Sequence, residues 1–79
     1  MPSAIAPGEL LKTEFLTPMG ITHDRLSHET GLSMMTIEGL LDASIKVTND
    51  IDRHLAQYLG LSNGYWLRAQ SIYDEELAA

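Results

Sequence analysis

The stretch HDRLSHETGLSMMTIEGLL, His23 to Leu41, reads as a helix, a tight turn and a second helix. Thr22 is placed to cap the first of these, which ends at Thr30. Asp24 falls in its first turn, where the helix dipole favours an anion. Gly31 supplies the turn, since a residue with a Cβ would be strained in the left-handed conformation needed there. Ser33 caps the second helix, which runs to about Leu41. Ser27, four residues before the turn, is small enough to let that helix approach closely. Leu26, Leu32, Ile37 and Leu40 are the apolar positions that join the pair and face the other helices. His23, Ser33, Met34, Met35 and Glu38 are left on the outside. Two helices around a short glycine turn make a helix-turn-helix, whose second helix can enter the major groove of DNA. On spacing alone an ordinary helical hairpin in a bundle fits as well.

Outward from this pair, punctuation cuts the chain into three more short helices. The first runs from about Gly8 to Phe15 or Leu16, opened by Pro7, and Thr17-Pro18-Met19-Gly20 breaks it. After a loop from Asp42 to Val47, Thr48 caps a fourth helix with Asp50 and Asp52 in its first turn. Ile51, Leu55 and Leu59, with Tyr58 beside them, form its apolar stripe, and Gly60 ends it. Ser62 caps a fifth helix to about Leu77, with Trp66, Ala69, Ile72 and Tyr73 on one face. No sustained period of two marks a strand. The expectation is a single all-α domain over 1–79, with the helix-turn-helix at about 22–41 and a loose arm at 1–6 and at the extreme C-terminus.

Composition limits what such a domain can do. The chain has 79 residues, a formal charge of −6 and no Cys. Disulfides, zinc thiolates and cysteine nucleophiles are thereby excluded. A domain this small often gains stability by pairing with a partner or with itself. No apolar run approaches the roughly 18–20 residues of a membrane span, and MPSAIAPGE lacks a secretory pattern, so the expected location is the cytoplasm. His23, His28 and His54 are too scattered for a metal site and read as surface histidines. Glu9 and Glu14, five apart, do not share a helix face, and no phosphate loop or nucleophile–base set is present. The chain is therefore expected to be no enzyme and to need no cofactor. Met34 and Met35 form either a soft protein-binding patch or one core and one solvent residue. Trp66 belongs to the core or to a dimer interface.

The terminal blocks carry a resemblance. Pro7-Gly8-Glu9-Leu10-Leu11, Glu14-Phe15-Leu16 and Pro18-Met19-Gly20 open the chain. Leu26, Gly31, Ile37, Thr48, Leu55 and Gly60 continue the register, and Ser62, Tyr65-Trp66-Leu67, Gln70 and Tyr73-Asp74 close it. Together, from about Pro7 to Leu77, these resemble the HigA family of antitoxins, which have lambda-repressor-like folds of the XRE type. The resemblance implies a homodimer that binds a palindromic operator upstream of its own operon. It also implies neutralisation of a RelE-like toxin, a small basic ribonuclease that cuts translated mRNA. By the same resemblance Ser33, Met34, Met35 and Thr36 would face bases. On the reading that results, Arg25, Lys46 and Arg53 would hold phosphates, while the helical spacing of the pair by itself leaves His23 and Glu38 toward the surface where a groove would lie. The acidic terminus Asp74-Glu75-Glu76 is either solvated or complementary to the basic toxin.

Several positions depart from the family pattern. Ala6 stands where the family usually has His, and Thr36 where it tends to have Arg. Asp42-Ala43-Ser44-Ile45 replaces an Asn-Gly-basic-basic loop, and only Lys46 keeps the expected sign. Between His23 and Thr48 the bases Arg25 and Lys46 face the acids Asp24, Glu29, Glu38 and Asp42. Affinity for DNA comes largely from neutralised phosphates, so operator binding should be weak and salt-sensitive. No bidentate Arg or Lys is available to guanine from Ser33 to Leu41, though the methionines can touch thymine methyls. The alternative is an interaction module that keeps the fold and has lost DNA binding.

Overall fold

A computed structural model describes residues 5–78. The chain is all-α, with five helices and no strand among the described residues. Helix α1 is continuous through three pieces, α-helical Pro7–Leu11, π-helical Lys12–Leu16 and α-helical Thr17–Met19. Then come α2 (His23–Thr30), α3 (Met34–Leu41), α4 (Asn49–Leu59) and α5 (Tyr65–Ala78). Of the arm expected at 1–6, residues 1–4 lie outside the described residues, as does residue 79 at the other end. Ala6 is the extended N-cap of α1, and its carbonyl accepts from the Leu10 N–H at 3.0 Å.

Pro18 does not break α1 where the sequence suggests. Its missing N–H and its ring are incompatible with a regular turn over the carbonyl of Glu14. The chain responds by widening the preceding turn, where the Thr17 N–H bonds the Lys12 carbonyl, five residues back. The helix then runs three residues further, to Met19, and stops at Gly20.

Packing centres on Leu11, Leu26, Ile37, Leu40, Leu55 and Trp66, all fully buried and drawn from every helix. Gly8 sets how closely α1 crosses α3. A Cβ there would lie 1.9 Å from the Leu40 carbonyl oxygen and 2.7 Å from the Leu41 Cα, so only glycine fits. Phe15, Tyr65 and Trp66 pack edge to face, with centroids 5.0–6.4 Å apart, and bind α1 to α5.

The start of α5 is also corrected. Ser62 is not its cap; the helix begins at Tyr65. Its free N–H groups are met by a carboxylate from another helix, the buried Asp52 of α4. Asp52 Oδ2 accepts from the Gly64 N–H at 2.8 Å, and Oδ1 from Trp66 and Leu67 at 2.8 and 3.3 Å. The expected apolar face of α5 shifts too. Trp66 is core, but Ile72 is 51% exposed and Gln70 is buried in its place. Gln70 is drawn inward because the buried Val47 N–H needs an acceptor, which Gln70 Oε1 provides at 3.0 Å.

Candidate nucleic-acid interface

The α2–α3 pair forms as its sequence requires. Thr22 accepts from the Arg25 N–H at 3.1 Å and Ser33 from the Thr36 N–H at 3.1 Å, so both helices start at side-chain caps. Gly31 adopts φ 81°, which turns the chain without strain. Ser27 does more than leave room, since its hydroxyl donates to the Leu32 carbonyl at 2.6 Å. Thr30, which sequence reading passed over, is buried; it donates to the Leu26 carbonyl and accepts from the Leu32 N–H at 3.2 Å. With the turn's polar groups satisfied, Leu26, Leu32, Ile37 and Leu40 are all buried.

The outward side of α3 carries most of the candidate residues. Met35 is 84% exposed and Met34 36%, so neither methionine is core. Glu38 follows Met34 by four residues and Met35 by three, which puts the three on one stripe. His23, at the start of α2, reaches across to it, with Nδ1 3.3 Å from Glu38 Oε2. Ser33 and Thr36 spend much of their capacity on each other, as the Ser33 hydroxyl donates to Thr36 Oγ1 at 2.9 Å.

Each of the three cations expected to hold phosphates is paired with a carboxylate. Arg25 pairs along α2 with Glu29 at 3.4 Å. Arg53 pairs with Asp50 at 2.6 Å on α4. Lys46 lies beyond the far end of α3 and pairs with Asp74 of α5 at 3.3 Å. Asp74 in turn accepts from Gln70 Nε2 at 3.0 Å, so the loop after α3 is tied to α5. All three cations remain at least half exposed, and exposed pairs are worth so little that a phosphate can displace the carboxylate. The spacing of Arg25–Glu29 and Asp50–Arg53 was visible in the sequence, whereas Lys46–Asp74, far apart along the chain, was not.

Glu29 has a second partner, the Tyr58 hydroxyl of α4, which donates to Oε1 and joins α2 to α4. This bond holds the Glu29 carboxyl below its usual 4.5 and, reciprocally, holds the Tyr58 hydroxyl above its usual 10.0. At the end of α3, the Ser44 hydroxyl and N–H hold the Asp42 carboxyl below its usual range. Among the described residues no cluster of three or more His, Asp or Glu is placed to hold a metal, and no helix is long and apolar enough to cross a membrane.

No protein-family profile matches the chain. Antitoxin HigA-1 of Vibrio cholerae is 36% identical over 70 residues, covering 89% of this chain and 66% of that protein. Virulence-associated protein I of Dichelobacter nodosus is 33% identical over 75 residues, covering 95% of this chain and 69% of its own length. The chain thus spans about two thirds of the length of these curated relatives. The structure of the Pseudomonas aeruginosa antitoxin HigA with the higBA promoter superposes with a TM-score of 0.88 at 28% identity, over 95% of this chain and 82% of that one. Sequence likeness along nearly the whole chain and a close superposition over 95% of it agree, and the chain belongs to the HigA-type antitoxins with a lambda-repressor-like helix-turn-helix.

Proposed function

We propose that this protein is the antitoxin of a toxin–antitoxin module and represses its own operon by binding operator DNA. The observation that carries the reading is the outward stripe of α3, capped by Ser33 and projecting from an α2–α3 pair joined by buried leucine and isoleucine. That pair matches a fold whose Pseudomonas aeruginosa representative was solved with its promoter. Its action is stoichiometric, as expected of a family of antitoxins rather than enzymes. A homodimer would set two α3 helices about 34 Å apart, one turn of DNA, so that a palindromic operator meets both. Ser33, Met34, Met35 and Thr36 would face base edges, with thymine methyls against the methionines. Arg25, Lys46 and Arg53 would leave their carboxylate partners for phosphates. The acidic remainder of the surface suits a small basic toxin of the RelE-like type acting in the cytoplasm.

Fluorescence anisotropy of the protein against its own upstream DNA, with a scrambled duplex as control, tests this reading. Specific binding that weakens from low to physiological salt is the expected result. The second reading, an interaction module without DNA binding, is favoured by the acidic charge and by an α3 without Lys or Arg. It predicts no binding at either salt, together with capture of a small basic protein encoded beside the gene.

A further inference from the structure

Glu38 is the single charged side chain of α3, and it stands on the stripe that would face the groove. A carboxylate there is unfavourable toward phosphates and can only accept hydrogen bonds. Its side chain is 59% exposed, and one oxygen is engaged, since His23 Nδ1 lies 3.3 Å from Oε2. Oε1 has no hydrogen-bond partner among the described residues. The other polar groups at the start of α3, Ser33 and Thr36, are bonded to each other.

The major groove offers an acceptor two donors, cytosine N4 and adenine N6. Adenine N6 sits between its own N7 and thymine O4, both acceptors, which repel a carboxylate. Cytosine N4 lies at the edge of its pair, with acceptors on one side only. A lone carboxylate oxygen therefore suits cytosine.

Resting on the reading that α3 enters a major groove, we propose that Glu38 is a specificity determinant that accepts a hydrogen bond from one cytosine N4 in each half-site. His23 is its positioning residue. By holding Oε2 it restrains the carboxylate and leaves Oε1 to accept from the base.

The test uses labelled duplexes of the upstream DNA in which each base pair of the half-site is replaced in turn. Wild-type protein should lose about tenfold in affinity when one C·G pair is replaced. Glu38→Ala should bind all pairs at that position within about twofold, with an unchanged thermal melt. Glu38→Gln, which carries a donor and an acceptor, should move the preference toward A·T. His23→Ala should blunt the discrimination, and His23→Asn, whose amide restores a donor, should recover it. Retained discrimination in Glu38→Ala overturns the proposal. So does a uniform rise in its affinity for every duplex, which would make Glu38 a repulsive charge and nothing more. Failure of the wild type to bind any duplex overturns the DNA reading itself, and the assignment of Glu38 with it.

Discussion

Ala43 is the one residue other than glycine with positive φ among the described residues, at 65°. It sits just after the C-terminus of α3, where the resembling family carries the glycine of an Asn-Gly pair. An alanine held left-handed costs about 1–2 kcal/mol, while glycine loosens the unfolded chain by about 0.4–1 kcal/mol. Ala43→Gly should therefore stabilise the protein by about 0.5–1 kcal/mol, read as a higher urea midpoint at constant slope. Glu29 and Tyr58 give a second prediction at this scale. Glu29 is held below 4.5, so its bond with Tyr58 stabilises the fold above that pH and is lost as pH falls through the lowered value. Tyr58 is held above 10.0, so the same bond is present below pH 10.0 and lost as pH rises through the raised value. The melting temperature of the wild type should exceed that of Tyr58→Phe near neutrality. The difference should vanish at both extremes; a gap independent of pH would assign the loss to packing instead. Neither feature was legible in the sequence: φ is not written in an alanine, and Glu29 meets Tyr58 only because α2 packs on α4.

At the scale of elements, local signals placed α2, α3 and α4 almost to the residue. Thr22, Ser33 and Thr48 each cap through their own side chains, and Gly31 and Gly60 stop the helices they follow. The two misplaced boundaries have tertiary or cooperative causes. Pro18 is carried through α1 by a widened turn upstream of it. The start of α5 is set by Asp52, a residue of a different helix that reads from sequence as an ordinary first-turn acid. Replacing this cap leaves buried N–H groups without an acceptor, a loss of at least about 2 kcal/mol. Asp52→Ala should lower the thermal midpoint by roughly 10 °C, since each kcal/mol moves a domain of this size by several degrees. Asp50→Ala, at an exposed position two residues earlier, should lower it much less, since its ion pair with Arg53 and its place in the first turn are worth about 1 kcal/mol or less. Equal melts for the two variants would mean that α5 does not depend on Asp52.

For the molecule as a whole, charge decides how DNA could be held. Lys and Arg number 5 against 11 Asp and Glu, and three of those cations already pair with carboxylates. If Arg25, Lys46 and Arg53 of the two subunits of the proposed homodimer exchange their partners for phosphates, about six are neutralised. The logarithm of affinity should then fall with the logarithm of salt with a slope of about −5 or shallower. A slope near −10 would require cations from elsewhere, such as Lys12 or Arg68, or from a bound toxin. A flat response would remove phosphate contacts from the mechanism.

Periodicity, caps and turn residues act over a few neighbours, so the residues alone specified five helices, the α2–α3 turn, the buried Leu26, Ile37, Leu40 and Leu55, and an exposed stripe on α3. Family membership was likewise readable from the blocks around Pro7-Gly8-Glu9 and Tyr65-Trp66-Leu67. What needed the folded chain is everything made by groups distant in sequence: Asp52 beneath α5, Gln70 beneath Val47, Lys46 against Asp74, and His23 against Glu38. Each of these satisfies a polar group whose exposure and orientation exist only once the helices have packed, and no pattern along a single helix encodes that.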